Sequence, residues 1–270
     1  MSMLYCLFGH PVKHSRSPEI HHAFAQQCQL ALTYEKREAP LDGFADSMAS
    51  FLKEGGLGAN VTVPFKQEAL ALADELSAEA RRAGAVNTLK LTAEGRLYGH
   101  NTDGIGLVVD LERLGVSLKG ARIAILGAGG AVRGVLKPLL DQQPASLVIA
   151  NRTLEKAEAL AADFSDEGAV AAVAPDALEG EFDLVINGTS ASLSGALPVI
   201  GQARLAHAGW GYDMVYSREP TPFMRWASDQ GGNSADGLGM LVGQARESFA
   251  LWTGKTPDAT PVLEMLRGTL

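Results

Sequence analysis

The stretch from 122 to 132 limits the fold of this chain most tightly. Arg122-Ile-Ala-Ile-Leu126 is a short apolar run that passes directly into Gly127-Ala128-Gly129-Gly130-Ala131, and helical patterning follows from Val132. Backbone N–H groups at a helix N-terminus, with no side chain in front of them, suit a phosphate. Glycines 127 and 129 fit the tight turn and the close approach that a pyrophosphate needs. The third glycine of the usual pattern is Val132 here, and Gly130 stands two places earlier, so the turn is a variant. A glycine turn without any ligand is the plain alternative. Context argues against it, because the next strand-like run, Leu147–Ala150, ends about one 30-residue βαβ unit later.

Two more apolar runs, Leu184–Asn187 and Gly211–Val215, suit strands of a parallel sheet covered on both faces. Helical segments at 131–141 and 154–162 separate the first three runs. This alternation implies an α/β fold with a doubly wound, Rossmann-like parallel sheet and right-handed crossovers. Residues 105–237 are expected to form that domain.

A chain of 270 residues allows about two domains at roughly 150 residues each. Residues 1–104 read as a separate α/β unit. Leu4–Phe8, Thr33–Lys36 and Asn60–Val63 look extended, while Pro18–Leu30, Phe44–Leu52 and Ala69–Leu76 look helical. Val86–Leu91 and Leu97–Tyr98 suggest a hairpin around Glu94-Gly95. Leu241, Ala245, Phe249 and Trp252 make a helical stripe, so residues 238–270 are expected to return to the first domain.

The net charge of −8 counts against a nucleic-acid partner, though not against a small anionic substrate. Cys6 and Cys28 form neither a metal-ligand spacing nor a disulfide framework and read as small buried residues, so no metal is expected. No apolar run reaches the roughly 18 residues of a membrane span, and no charged-then-apolar leader opens the chain. A cytoplasmic protein with no membrane partner is expected. A monomer and a homodimer fit the sequence equally.

NAD sites usually place Asp or Glu beyond the second strand, where it binds the ribose 2′-hydroxyl. This chain has Asn151-Arg152-Thr153, with Lys156 one helical turn on. A guanidinium in that place suits the 2′-phosphate of NADP. In the first domain, His14-Ser15-Arg16-Ser17-Pro18 precedes a helix, with Ser17 suited to the N-cap and Pro18 to the first turn. Ser15 is left without a capping role, and two hydroxyls beside a helix N-terminus also suit a carboxylate. Asn60 and Thr62 would point the same way on a strand, with Lys66 just beyond Pro64. Asn87-Thr88 and Asn101-Thr102-Asp103 follow extended or turn segments. Each is an ordinary turn group alone. Together these hydroxyls, amides, lysine and aspartate suit a polyhydroxylated ligand.

These residues resemble the shikimate dehydrogenase family. The likeness rests on His14-Ser-Arg-Ser-Pro18, Gly58-Ala-Asn-Val-Thr-Val-Pro-Phe-Lys66, Gly84-Ala-Val-Asn-Thr88, Asn101-Thr-Asp-Gly104, Gly127-Ala-Gly-Gly-Ala131, Asn151-Arg-Thr153, Tyr212-Asp-Met-Val-Tyr216 and Asp236-Gly-Leu-Gly-Met240, in family order. It runs from Gly9 to Trp252 and implies two domains with a cleft between them. It implies reversible reduction of 3-dehydroshikimate to shikimate with NADPH, in chorismate and aromatic amino-acid biosynthesis. It puts the substrate carboxylate on Ser15 and Ser17 with Tyr216 nearby, and the ring hydroxyls on Thr62, Lys66, Asn87, Asp103 and Gln244. It puts NADP on the Gly127–Ala131 turn, on Asn151, Arg152, Thr153 and Lys156, and on Met214 and Gly237. Lys66 and Asp103 are implied as the catalytic pair. The family usually reads Asn-Ala-Thr-Ser where this chain has Asn187-Gly-Thr-Ser190, and often has Arg at the place of Lys156. A quinate/shikimate dehydrogenase with relaxed substrate or cofactor use is the sibling alternative. A ligand-binding relative without turnover is the other, and it would have no need of both Lys66 and Asp103.

Overall fold

The computed structural model describes Ser2–Leu270. The chain divides into two compact units, one of residues 1–106 and 242–266, the other of 107–241 and 267–270. The first begins with β1 (Met3–Gly9), α1 (Ser17–Gln27), β2 (Leu32–Glu38), α2 (Phe44–Lys53) and β3 (Gly56–Val61). It continues with α3 (Lys66–Leu72), β4 (Glu75–Leu76), α4 (Ala78–Ala83), β5 (Thr88–Leu91), β6 (Leu97–His100) and the start of α5 (Asp103–Arg113).

The first sheet runs β2-β1-β3-β5-β6-β4. Its first three strands are parallel, and β5 joins β3 and β6 antiparallel. The expected hairpin is present, and Gly95 takes the positive φ of +77° that its turn requires. The core gathers Phe8, Phe44, Met48, Phe51 and Phe65, all nearly or fully buried. Their rings interlock, with Phe65 stacked on Phe44 at 5.2 Å and Phe8 edge-on to Phe44 and Phe51. Ring pairs of this kind contribute about 0.5–1.5 kcal/mol beyond burial.

Three local expectations are corrected. The helix expected over Ala69–Leu76 starts at Lys66 and ends at Leu72. Asp74 then exchanges bonds with Leu97, its N–H to the carbonyl and its carboxylate from the N–H, which draws Glu75–Leu76 onto β6 as a strand. Ser17 is the first residue of α1 and not its cap. The Ser15 hydroxyl accepts the Ser17 N–H at 3.2 Å and so takes the capping task. Cys6 is fully buried as expected, whereas Cys28 is only partly so.

The second unit contains the rest of α5, then β7 (Arg122–Leu126), α6 (Gly130–Asp141), β8 (Ser146–Ala150), α7 (Leu154–Asp163) and β9 (Val170–Val173). After these come β10 (Glu179–Asn187), β11 (Gln202–Asp213), α8 (Pro222–Asp229), β12 (Asn233–Asp236) and the first turn of α9 (Leu238–Thr253). The rest of α9 and most of α10 (Thr260–Arg267) cluster with the first unit. Arg267 at the end of α10 instead belongs with the second unit, where it forks onto Asp236 at 2.7 and 2.5 Å.

This sheet is wholly parallel, in the order β12-β11-β10-β7-β8-β9. It is the doubly wound order, with its topological switch between β7 and β10. The apolar runs that suggested strands are buried here: Ile123, Ile125, Leu147, Ile149, Leu184 and Ile186 pack with α5 and α6 residues Leu107, Leu111, Val135 and Leu139. Among the described residues, no helix is long and apolar enough to cross a membrane.

Candidate active site

In the first unit, the turn between β3 and α3 carries Lys66. Thr62 N–H bonds the Phe8 carbonyl at 2.8 Å, Phe65 N–H bonds the Thr62 carbonyl at 3.0 Å, and Val86 N–H bonds the Lys66 carbonyl at 2.9 Å. With the Phe65 ring locked in the core, the Lys66 backbone is held on both sides. Asp103 opens α5, where a carboxylate is favoured by the helix dipole. Its N–H donates to Asn101 Oδ1 at 3.0 Å, and Asn101 in turn reaches the Ala85 carbonyl.

Lys66 Nζ donates to Asp103 Oδ2 at 2.5 Å, with side chains 29% and 16% exposed. The pair is therefore partly screened and still open to a ligand. Asn87 Nδ2 donates to the other carboxylate oxygen, Asp103 Oδ1, at 2.8 Å. Asn87 is buried, and its Oδ1 accepts the Thr102 N–H at 2.9 Å. The Thr102 hydroxyl lies 3.5 Å from Gln244 Oε1 on α9.

The serine pair lies in the same unit. Ser15 Oγ donates to Ser17 Oγ at 3.0 Å. Tyr34 donates to Asn60 Oδ1 at 2.8 Å. Hydrogen bonds thus bring together Lys66, Asn87, Asp103 and Gln244, while Ser15 and Ser17 bond each other at the start of α1. The Thr62 hydroxyl joins none of these bonds. Tyr216 belongs to the second unit, on the segment after β11.

Sequence reasoning missed two groups behind this array, Tyr34 and Ser248, and read Thr88 and Thr102 as turn groups beside a ligand and not as buried supports. Ser248 carried a signal, because it interrupts the apolar stripe of α9 yet is fully buried. A polar residue on a buried helix face needs partners.

In the second unit, a cavity of about 1050 Å³ opens at the C-terminal ends of β7, β8 and β10. Gly127, Ala128, Gly129, Asn151, Arg152, Thr153 and Lys156 line it, together with Gly188–Ala191 and Leu197–Val199. Gly127 has φ +104°, which only glycine adopts freely. Gly129 caps α6 without any side-chain bond, so the first N–H groups of that helix are left for a ligand. A Cβ at Gly129 or Gly130 would meet no protein atom within 4 Å. The packing does not require glycine at either place, and the space kept clear is what a pyrophosphate fills. The residues present therefore fit NADP.

Arg152 and Lys156 are exposed on the rim and make no ion pair among the described residues. Asn151 Nδ2 bonds the Thr153 carbonyl at 2.7 Å and shapes the turn that presents Arg152. Ala131, inside α6, does not line the cavity. Met214 and Gly237 do not line it either, but Met214 N–H bonds the Asn187 carbonyl at 2.9 Å, beside Gly188. Gly237 passes against the Met214 carbonyl so closely that a Cβ would overlap it.

The buried Asp213 carboxylate ties these segments together and was not foreseen. It accepts from Ser192 Oγ at 2.6 Å, Thr221 Oγ1 at 2.7 Å, Asn187 Nδ2 at 3.1 Å and Val215 N–H at 3.1 Å. Four donors satisfy the hydrogen-bonding capacity of this buried carboxylate.

A doubly wound parallel sheet, a bare helix N-terminus at its switch point and free cations past the second strand define a dinucleotide-dependent oxidoreductase of the NADP-using kind. Comparison with known proteins gives the family. Residues 7–89 match the shikimate dehydrogenase substrate binding domain, 110–208 match shikimate / quinate 5-dehydrogenase, and 237–267 match the shikimate 5′-dehydrogenase C-terminal domain. Shikimate dehydrogenase (NADP(+)) of Chromohalobacter salexigens is 58% identical, over 98% of each chain. The structure of shikimate 5-dehydrogenase from Thermus thermophilus in complex with NADP(H) and shikimate superposes with a TM-score of 0.89 at 34% identity, covering 99% of this chain and all of that one. The ligand-free 5-ketofructose reductase of a Gluconobacter species has a TM-score of 0.89 at 31% identity, covering 100% and 99%. The chain belongs to the shikimate dehydrogenase family.

Proposed function

We infer that this chain catalyses the reversible, NADPH-dependent reduction of 3-dehydroshikimate to shikimate in aromatic biosynthesis. One observation carries the reading at the level of residues: Lys66 donates to one oxygen of the Asp103 carboxylate while the buried Asn87 amide donates to the other. The first unit is the substrate-binding one in this reading, and the second holds NADP.

NADPH, when bound, supplies the hydride that reaches the ring carbonyl carbon. As that carbon is attacked, negative charge builds on the carbonyl oxygen. The Lys66 ammonium faces that oxygen and stabilises the charge more in the transition state than in the ground state. Lys66 then gives up a proton to complete the hydroxyl, and takes one back in the oxidation direction. Asp103 holds the ammonium in place and accepts a hydrogen bond from a neighbouring ring hydroxyl. Asn87, Thr62 and Gln244 orient the ring hydroxyls. Ser15 and Ser17, at the start of α1, hold the carboxylate. Arg152 and Lys156 hold the 2′-phosphate, the Gly127–Ala131 turn takes the pyrophosphate, and Met214 and Gly237 shape the nicotinamide end.

Lys66→Ala is expected to lower kcat by roughly 10²- to 10⁴-fold, the usual scale for a lost general acid. The KM for the substrate should change much less. A loss confined to KM would remove Lys66 from the chemistry. Initial rates on shikimate and on quinate, each with NADP and NAD, separate this activity from a quinate-using sibling. No turnover with any pair would favour a binding protein.

A further inference from the structure

The array behind Asp103 has a direction. Asn87 Nδ2 faces a carboxylate, which only accepts, and Asn87 Oδ1 faces the Thr102 N–H, which only donates. The Asn87 amide therefore has a single orientation. Asn60 Nδ2 faces the Asn87 carbonyl at 3.2 Å, again an obligate acceptor. Asn60 is oriented by this contact too, and its second side is closed by the Tyr34 hydroxyl and by His21 Nε2 at 3.1 Å.

Thr88 joins the two amides. Its hydroxyl accepts from Asn60 Nδ2 at 3.1 Å and donates to Asn87 Oδ1 at 2.9 Å. The result is a head-to-tail series of donors running from Tyr34 through Asn60, Thr88 and Asn87 to Asp103. The phenol stays a donor, because burial pushes it well above its ordinary pKa. Each bond in such a series polarises the next. Its last donor meets the carboxylate oxygen that Lys66 leaves free. Thr88 and Ser248 are fully buried, so neither hydroxyl is on display for solvent.

We propose that Thr88 is a positioning residue for the reaction: with Asn60 behind it, its hydroxyl holds the Asn87 amide rigidly in its one orientation and so steadies the Asp103 carboxylate that carries Lys66. The proposal rests on the catalytic roles inferred above for Lys66 and Asp103. Thr88 itself touches neither substrate nor cofactor; it acts through Asn87.

The test is Thr88→Val, which keeps the branched shape and removes the hydroxyl. Asn60 keeps two acceptors, the Asn87 carbonyl and Ser248 Oγ at 2.9 Å. We expect kcat to fall by about tenfold, short of the roughly 10²-fold that a full 1 Å misplacement can cost, with the KM for NADPH unchanged. We also expect the primary isotope effect from deuterated NADPH to rise, because hydride transfer becomes the slow step. Loss of folded protein does not move an isotope effect. Thr88→Ser should restore most of the rate. A folded Thr88→Val enzyme with normal kcat and isotope effect would overturn the proposal, as would equal impairment by Val and Ser. If the valine variant fails to fold, Tyr34→Phe removes the first donor of the series, and an unchanged kcat and isotope effect there overturns the proposal equally. Asp103→Asn, measured alongside, separates the two levels. A fully active Asp103→Asn enzyme ends the catalytic-pair reading itself, while an impaired one beside a normal Thr88→Val enzyme ends only the role of Thr88.

Discussion

In the first unit the proposed ligand-facing groups are side chains, and buried side chains orient them. Lys66 is set by Asp103, Asp103 by Asn87, and Asn87 by Thr88 and the Thr102 N–H. In the second unit the corresponding groups are main-chain N–H groups behind bare glycines, and the two cations stand on the rim without partners among the described residues. The difference follows the ligands. A hydroxylated ring must be gripped at several atoms in one orientation, which needs a rigid, saturated set of donors and acceptors. A pyrophosphate needs partial positive charge and clearance, which a helix N-terminus supplies without side chains.

The rim cations test that contrast most severely. Arg152→Ala should raise the KM for NADPH by roughly ten- to hundredfold, since a charge-assisted bond is worth about 1.5–3 kcal/mol. The KM for NADH should stay put, and added salt should narrow the wild-type preference, because an exposed contact is screened. Steady-state rates with both cofactors at two ionic strengths measure this. An unchanged NADPH/NADH ratio would mean that the 2′-phosphate is read by other groups.

A backbone-built site should be sensitive to single methyl groups. Gly188 lies in the bend after β10, against Leu126 and Val132, and a Cβ there would overlap Val132 Cγ2. Its φ is not positive, so the demand is for space and not for a left-handed backbone. Val132 holds the place where the usual phosphate turn has its third glycine, and Gly188 leaves the room it takes. Gly188→Ala should therefore destabilise the protein by about 1–3 kcal/mol through overpacking and weaken NADPH binding. Adding Val132→Ala should recover part of that loss, a coupling that a double-mutant cycle reads by thermal denaturation. Additive effects would show that the two residues do not share the space.

The contrast also explains what the sequence could disclose. The nucleotide-binding half was legible because its signals are local: a run of apolar residues, a glycine cluster, a helix, and Arg152 where NAD sites carry an acid. The first strand of the first unit, its hairpin and the helices around Phe24 and Met48 were legible for the same reason. The positioning groups were not. Thr88, Ser248 and Tyr34 come from β5, α9 and β2, and Ser248 is 160 residues from Thr88. Threonine after asparagine reads as turn chemistry until the fold places a second amide beside it. α5 escaped notice for a related reason, since Asn101-Thr-Asp-Gly104 reads as a turn although Asp103 begins a helix there.

The last test asks how completely the first unit's array is closed. His21 Nε2 faces Asn60 Oδ1, an acceptor, so it carries the ring proton and leaves Nδ1 buried without a partner. Burial pulls the His21 pKa down to about 3, against smaller opposing help from Asn60. The folded protein therefore holds His21 neutral, while the unfolded chain takes up a proton near pH 6.5. Between those values the unfolded state binds more protons, so this group's contribution to stability is complete above about pH 6.5 and is lost as pH falls toward 3. Its slope reaches about 1.4 kcal/mol per pH unit, one proton's worth. His100 is pulled down by burial as well and adds to the same trend. Comparing His21→Gln with the wild type isolates the first of these, because glutamine can still donate to Asn60 but does not titrate. Urea denaturation at several pH values from 4 to 7 should give a shallower slope for the variant by up to one proton. Equal slopes would mean that His21 charges in the folded state, and the first unit's array would then be open to protons in the way that the second unit's rim is open to ions.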